Sequence, residues 1–91
     1  MDYKGEEQKK KMIVNRIAKA IGHTKSIKTM VEQGRDCSEV LIQLAAVKSA
    51  LNNAGKELLK DEMEKMLQEA VEENNPQKIK ELNRMIDTFL K

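Results

Sequence analysis

Apolar positions along the chain recur every three or four residues and nowhere show the two-residue alternation of a half-buried strand. The first series is Ile13, Ile17, Ile21, Thr24, Ile27 and Val31, which draws one stripe along a helix starting near Gln8. The segment before it, residues 1–8, is polar and reads as a flexible tail. Gly34 predicts the stop, because glycine accepts the left-handed conformation that follows a last helical turn. Asp36 and Glu39 then have capping-box spacing, which marks a restart.

The second series is longer. Val40, Leu44, Val47, Leu51, Ala54 and Leu58 alternate steps of four and three, the seam of a helix packed along another. The pattern continues through Met63, Met66, Leu67, Ala70 and Val71. Gly55 interrupts it at a cost of about 1 kcal/mol relative to Ala, without breaking it. Asn75 and Pro76 have the types preferred at a helix cap and first position. The short third helix they open carries Ile79, Leu82, Met85, Ile86 and Phe89. The fold class is therefore all-α, with two long helices and a short C-terminal one. A second helix of about 36 residues is roughly 54 Å long, more seam than one chain covers. Antiparallel pairing into a four-helix-bundle dimer, and then a tetramer, is the expected solution.

Composition sharpens this picture. The 91 residues include one Tyr, one Phe, no Trp and six Met, so the core is aliphatic and thin. A single cysteine excludes an internal disulfide framework. No apolar run has the length of a membrane span, and no apolar leader is evident, so a cytoplasmic location is expected. Residues 1–35 carry nine Lys/Arg against four Asp/Glu, whereas the remainder is net acidic. The basic third suits a polyanion. By charge alone, an ordinary solvated helix face is the commoner origin of such a composition.

Catalytic constellations are sparse: one His, one Cys, no phosphate-cradling glycine loop and no paired-cysteine zinc motif. No enzymatic activity is expected. Cys37 opens the second helix, where exposed amides and the positive helix end favour a thiolate. Arg35 acts in the same direction and Asp36 against it. The alternative is a small buried hydrophobe at the start of the seam. Glu62 and Met66 are four apart and share a helical face. Cys37 and Glu62 lie roughly 37 Å apart along one helix, too far to share an ion within a chain. In an antiparallel dimer centred near Ala50, Cys37 of one chain would meet Glu62 and Met66 of the other. By spacing alone, Glu62 also reads as a seam-edge carboxylate reaching solvent beside a core methionine. On the first helix Arg16, Lys19 and His23 share a stripe, preceded by Lys9, Lys10 and Lys11. Such side chains contact phosphates, and Arg also reads guanine edges.

These residues, in order, resemble a known family. Asn15-Arg16-Ile17, Gly22-His23, Met30-Val31-Glu32, Gly34-Arg35, Cys37, Leu41, Gln43, Ala46-Val47-Lys48 and Ala50-Leu51 look like the copper-sensitive operon repressor (CsoR/RcnR) family. The resemblance spans roughly residues 9–90 and implies a single domain over residues 9–91. It implies a three-helix protomer pairing antiparallel, and a homo-oligomer that binds operator DNA without a helix-turn-helix. The matching basic positions are Arg16, Lys19 and Lys48, with Lys9 and Lys10 beside them. Copper-sensing members hold Cu(I) with a Cys opening the second helix and a His-x3-Cys pair from the partner's helix. Here Cys37 is kept, while Glu62 and Met66 stand at the other two positions. Cu(I) is thus the implied cofactor, with a carboxylate, a hard ligand, in place of an imidazole. Nickel and cobalt sensing would need more imidazoles than His23 alone supplies. Persulfide sensing would need a second thiol, and formaldehyde sensing a free N-terminal amine beside the Cys.

The expected function is a DNA-binding transcriptional repressor whose operator is released when an inducer engages Cys37. The inducer classes are Cu(I), another soft metal, or thiol modification. The alternatives are a helical interaction module without DNA binding, or a chorismate-mutase-like helical enzyme. The latter would need several arginines converging on an anion, and the chain has three.

Overall fold

A computed structural model describes the backbone of residues 3–90 and the side chains of residues 5–90. It contains three helices, α1 (Tyr3–Glu32), α2 (Cys37–Glu73) and α3 (Pro76–Phe89), and no strand among the described residues. The all-α expectation and the three helices hold. The first helix begins at Tyr3, earlier than the apolar pattern starts at Gln8. Nothing between Tyr3 and Gln8 breaks a helix, and Glu6 in the first turn complements the positive helix end. The expected tail therefore carries helical backbone from Tyr3 to Gln8, and its Met1 and Asp2 lie outside the described residues.

Both interhelix turns use the same local chemistry. At the end of α1, Gly34 adopts φ 71°. The Gly34 amide donates to the Val31 carbonyl and the Arg35 amide to that of Met30, each at 3.0 Å. This is a Schellman closure, and the positive φ is what a Cβ would penalise. At the end of α2, Asn74 takes that role with φ 50°, and the Asn75 amide donates to the Ala70 carbonyl at 3.1 Å. Asn75 then caps α3, its Oδ1 accepting from the Gln77 amide at 3.0 Å with Pro76 in the first turn.

Residues up to Ala54 form one compact unit, and those from Gly55 a second. In the first, Ala20, Ile27, Val40 and Val47 make a buried cluster with Met30 packed against it. Ile13, Ala20 and Ile27 are seven apart on α1, as are Val40, Val47 and Ala54 on α2, and all six are buried. That is a heptad seam in which only every second apolar position faces the neighbouring helix. Leu44 and Leu51 remain 43% and 46% exposed, and Ile21 53%. Thr24 and Val31, expected on the packed stripe, are also exposed. Ala20, absent from the predicted stripe, sits in the core instead. The His23 Nε2–H group donates to Gln43 Oε1 at 2.6 Å, joining half-buried side chains of α1 and α2.

In the second unit Met66 of α2 and Leu82 of α3 are buried. Lys78 Nζ pairs with Glu69 at 3.2 Å, and the Phe89 ring lies on Gly55 in the space a Cβ there would occupy. Gly55, a costly residue by helix propensity, thus makes room for an aromatic side chain.

Candidate functional site

Cys37 is the first residue of α2, a free and exposed thiol. Within one chain it is therefore not part of the buried core. Its surroundings differ from the expected capping box. The Glu39 carboxylate accepts from Arg35 Nε and Nη2 at 3.1 and 3.0 Å and is engaged with that guanidinium. Asp36 Oδ2 accepts from Ser38 Oγ at 2.6 Å. The Asp36 carbonyl receives the amides of Glu39 and Val40, the ordinary start of a helix. A fork-shaped guanidinium four residues before a carboxylate satisfies two donors at one oxygen, which outcompetes a single backbone N–H. Arg35 is thus partly neutralised by Glu39 beside Cys37.

Glu62 and Met66 lie one turn apart in the second unit, 25 residues beyond Cys37 in sequence. Their environments differ. Met66 is 5% exposed, a core residue. Glu62 is half-buried and opens onto a cleft of about 910 Å³ between the second half of α2 and α3. Leu58, Leu59, Met85 and Phe89 supply its apolar walls, and Glu81 and Arg84 line it with Glu62. Met66 is not among the lining residues. Glu81 and Arg84 were missed by sequence reasoning, although their three-residue spacing, shared with Met85 and Thr88, puts them on one side of α3.

Among the described residues, no three of His, Cys, Asp and Glu come together as metal ligands would. Met63, next to Glu62, is half-buried, Met66 one turn on is buried, and the single imidazole is engaged by Gln43. Exposed soft donors among the described residues include the Cys37 thiol and the Met12 and Met85 thioethers, the last on the wall of the cleft that Glu62 lines.

The candidate DNA-contacting side chains Lys9, Lys10, Arg16, Lys19 and Lys48 are all exposed. Lys9, Arg16, Lys19 and His23 follow one another at helical spacing, so their stripe borders the α1–α2 seam that His23 joins. Lys10 is about 100° further round α1 from Lys9. No helix among the described residues is long and apolar enough to cross a membrane.

Residues 9–88 match the family described as metal-sensitive transcriptional repressor. The chain is 29% identical over 84 residues to the copper-sensing transcriptional repressor CsoR of Bacillus subtilis (strain 168), covering 92% of this chain and 81% of that one. It is 32% identical over 72 residues to the copper-sensing transcriptional repressor RicR of Mycobacterium tuberculosis, covering 79% and 75%. Among solved structures, the nickel-responsive transcriptional regulator InrS superposes with a TM-score of 0.80 at 40% identity, over 87% of this chain and 90% of that one. These likenesses agree with the resemblance carried by the ordered residues from Asn15 to Leu51, and with a regulator in place of an enzyme. The chain belongs to the family of metal-sensitive transcriptional repressors.

Proposed function

We propose that the chain holds operator DNA with the basic stripe of α1 and Lys48 of α2, and releases it when an inducer engages Cys37. The carrying observation is the exposure of Arg16, Lys19 and Lys48 on a chain whose family consists of transcriptional repressors. Lys9 and Lys10 add phosphate contacts beside them. The working form is an oligomer. Support for that comes from Leu44, Leu51 and Leu58, which lie on the α2 seam yet are 43–50% exposed in the single chain. A row of leucines at heptad spacing is a face that another helix covers. The inducer class is a soft metal or a thiol-modifying reagent at Cys37, and the release is a coupling between two sites. The DNA-bound protein is expected in the cytoplasm.

Binding to a duplex, followed by fluorescence anisotropy across a salt series, tests this. The wild type should weaken steeply with salt, because each neutralised phosphate releases counterions. Arg16→Glu with Lys48→Glu should abolish binding while the helical content is kept. Binding without a salt slope, or unchanged in the double variant, would refute the assignment.

A further inference from the structure

We infer that the DNA-holding surface is composite: Arg16 and Lys19 of one copy of the chain act beside Lys48 of another, and no single chain brings all three to one duplex. The composite rests on the proposed reading that these side chains hold operator DNA, and it names a second copy as the contributor that completes the surface.

The geometry of the α1–α2 hairpin carries it. Buried Ile13, Ala20 and Ile27 of α1 and Val40, Val47 and Ala54 of α2 define the line along which the helices meet. Each side of that line is marked by its own contact. On one side His23 donates to Gln43 at 2.6 Å. On the other, a groove of about 220 Å³ is lined by Ile21, Thr24 and Lys25 of α1 and by Leu51 of α2. At 100° per residue, Arg16, His23 and Lys19 lie about 40°, 60° and 100° from Ala20 in one sense, and Ile21 about 100° in the other. On α2, Gln43 lies about 40° to one side of Val47, whereas Leu51 and Lys48 lie about 40° and 100° to the opposite side. Arg16 and Lys19 therefore stand on the His23–Gln43 face of the hairpin, and Lys48 on the groove face. All three are exposed. A layer one helix thick, about 10–12 Å, separates the two faces, so a duplex laid on one does not reach the other.

The sequence around Lys48 points to a second copy. Lys48 is the single charged residue in the stretch 40–55, so no carboxylate within a turn of α2 neutralises it. Leu44 and Leu51, four residues before it and three after, are 43% and 46% exposed. Lys48 thus borders the apolar row that another chain covers, and its long stem can lie along that contact with the ammonium at the edge. A copy seated on the row brings its own basic stripe to the same edge.

Mixed oligomers decide between one chain and two. Arg16→Glu/Lys19→Glu and Lys48→Glu chains carrying different affinity tags are co-expressed, and oligomers holding both tags are isolated. The reciprocal mixture pairs the wild type with the triple variant, so both mixtures carry the same total charge. Binding is read by anisotropy on a labelled duplex that the wild type holds. Each parent variant alone should bind about tenfold or more weakly, because charge reversal turns phosphate attraction into repulsion. The first mixture should regain much of that loss and bind more tightly than the reciprocal one, since only it joins an intact stripe to an intact Lys48 across chains. Tighter binding by the reciprocal mixture, or equal binding by the two, would overturn the composite surface. So would full affinity in both Lys48→Glu and Lys48→Gln, the second removing the charge without adding repulsion, or the absence of any doubly tagged oligomer. A wild type that fails to hold the duplex at all would sink the repressor reading itself, and the composite with it.

Discussion

Replacing Gly55 with Ala separates helix propensity from packing at one position. In an exposed helix interior the change is worth about 1 kcal/mol of added stability. Here the Phe89 ring occupies the position of the new methyl group, so the ring must leave. Phe89 is half-buried, and full burial of such a side chain is worth about 1.5–3 kcal/mol, so displacing it costs about 1 kcal/mol. The two effects cancel, and Gly55→Ala should be near neutral. Phe89→Ala alone should destabilise by about 1 kcal/mol. With the ring gone, Gly55→Ala should show its full propensity gain, giving a coupling of about 1 kcal/mol in a double-mutant cycle. Urea unfolding followed by circular dichroism at one fixed protein concentration reads all four variants, the concentration being held because self-association shifts apparent stability. Additive effects, with Gly55→Ala stabilising equally in both backgrounds, would refute the placement of Phe89 on Gly55 and with it the end wall of the cleft.

Two further outcomes are expected. Leu51→Glu, at a 46%-exposed seam position, should leave the helical content intact but remove self-association in sedimentation velocity; an unchanged sedimentation coefficient would argue against that face as the interface. The Lys78 pKa is raised by its hydrogen bond to Glu69 and then by that carboxylate's charge. A cation with a raised folded-state pKa contributes stability in full below its unfolded value and loses it as pH climbs through the folded one. The difference in urea midpoint between wild type and Lys78→Met should therefore be constant near neutrality and close in strongly alkaline solution. A difference that persists there would show that Lys78 acts through its aliphatic stem.

The helices were legible because each boundary carries its own chemistry. Gly34 ends α1 and Asn75-Pro76 opens α3 through backbone preferences that need no tertiary context. Which apolar residues are buried was less legible. Periodicity marks a face of three or four positions per two turns, but a single neighbouring helix covers only part of it. Ala20 outranks Ile21 in the core because close approach of α1 and α2 favours a small side chain at the contact line, and Ile21 falls to its open side. Glu39 illustrates a second limit. Its spacing from Asp36 suits a capping box, yet Arg35 at the preceding turn offers two charge-assisted bonds and takes the carboxylate.

The site divides along the same line. Cys37 could be read as a helix-opening thiol because position within one helix fixes its exposure to the amide ends. Glu62 and Met66 share a face in sequence, and that sharing suggested a common role. Depth separates them, since a residue at the centre of a packed stripe is enclosed while its neighbour one turn away opens to a cleft. Glu81 and Arg84 enter only when α3 folds back along α2, a juxtaposition no local spacing encodes. Glu62 then shares one cleft with Glu81, Arg84 and Met85, so its surroundings are set by α3 as much as by its own helix. Cys37, by contrast, is exposed at the first position of α2, next to an Arg35 whose guanidinium is already shared with Glu39 at 3.0 Å.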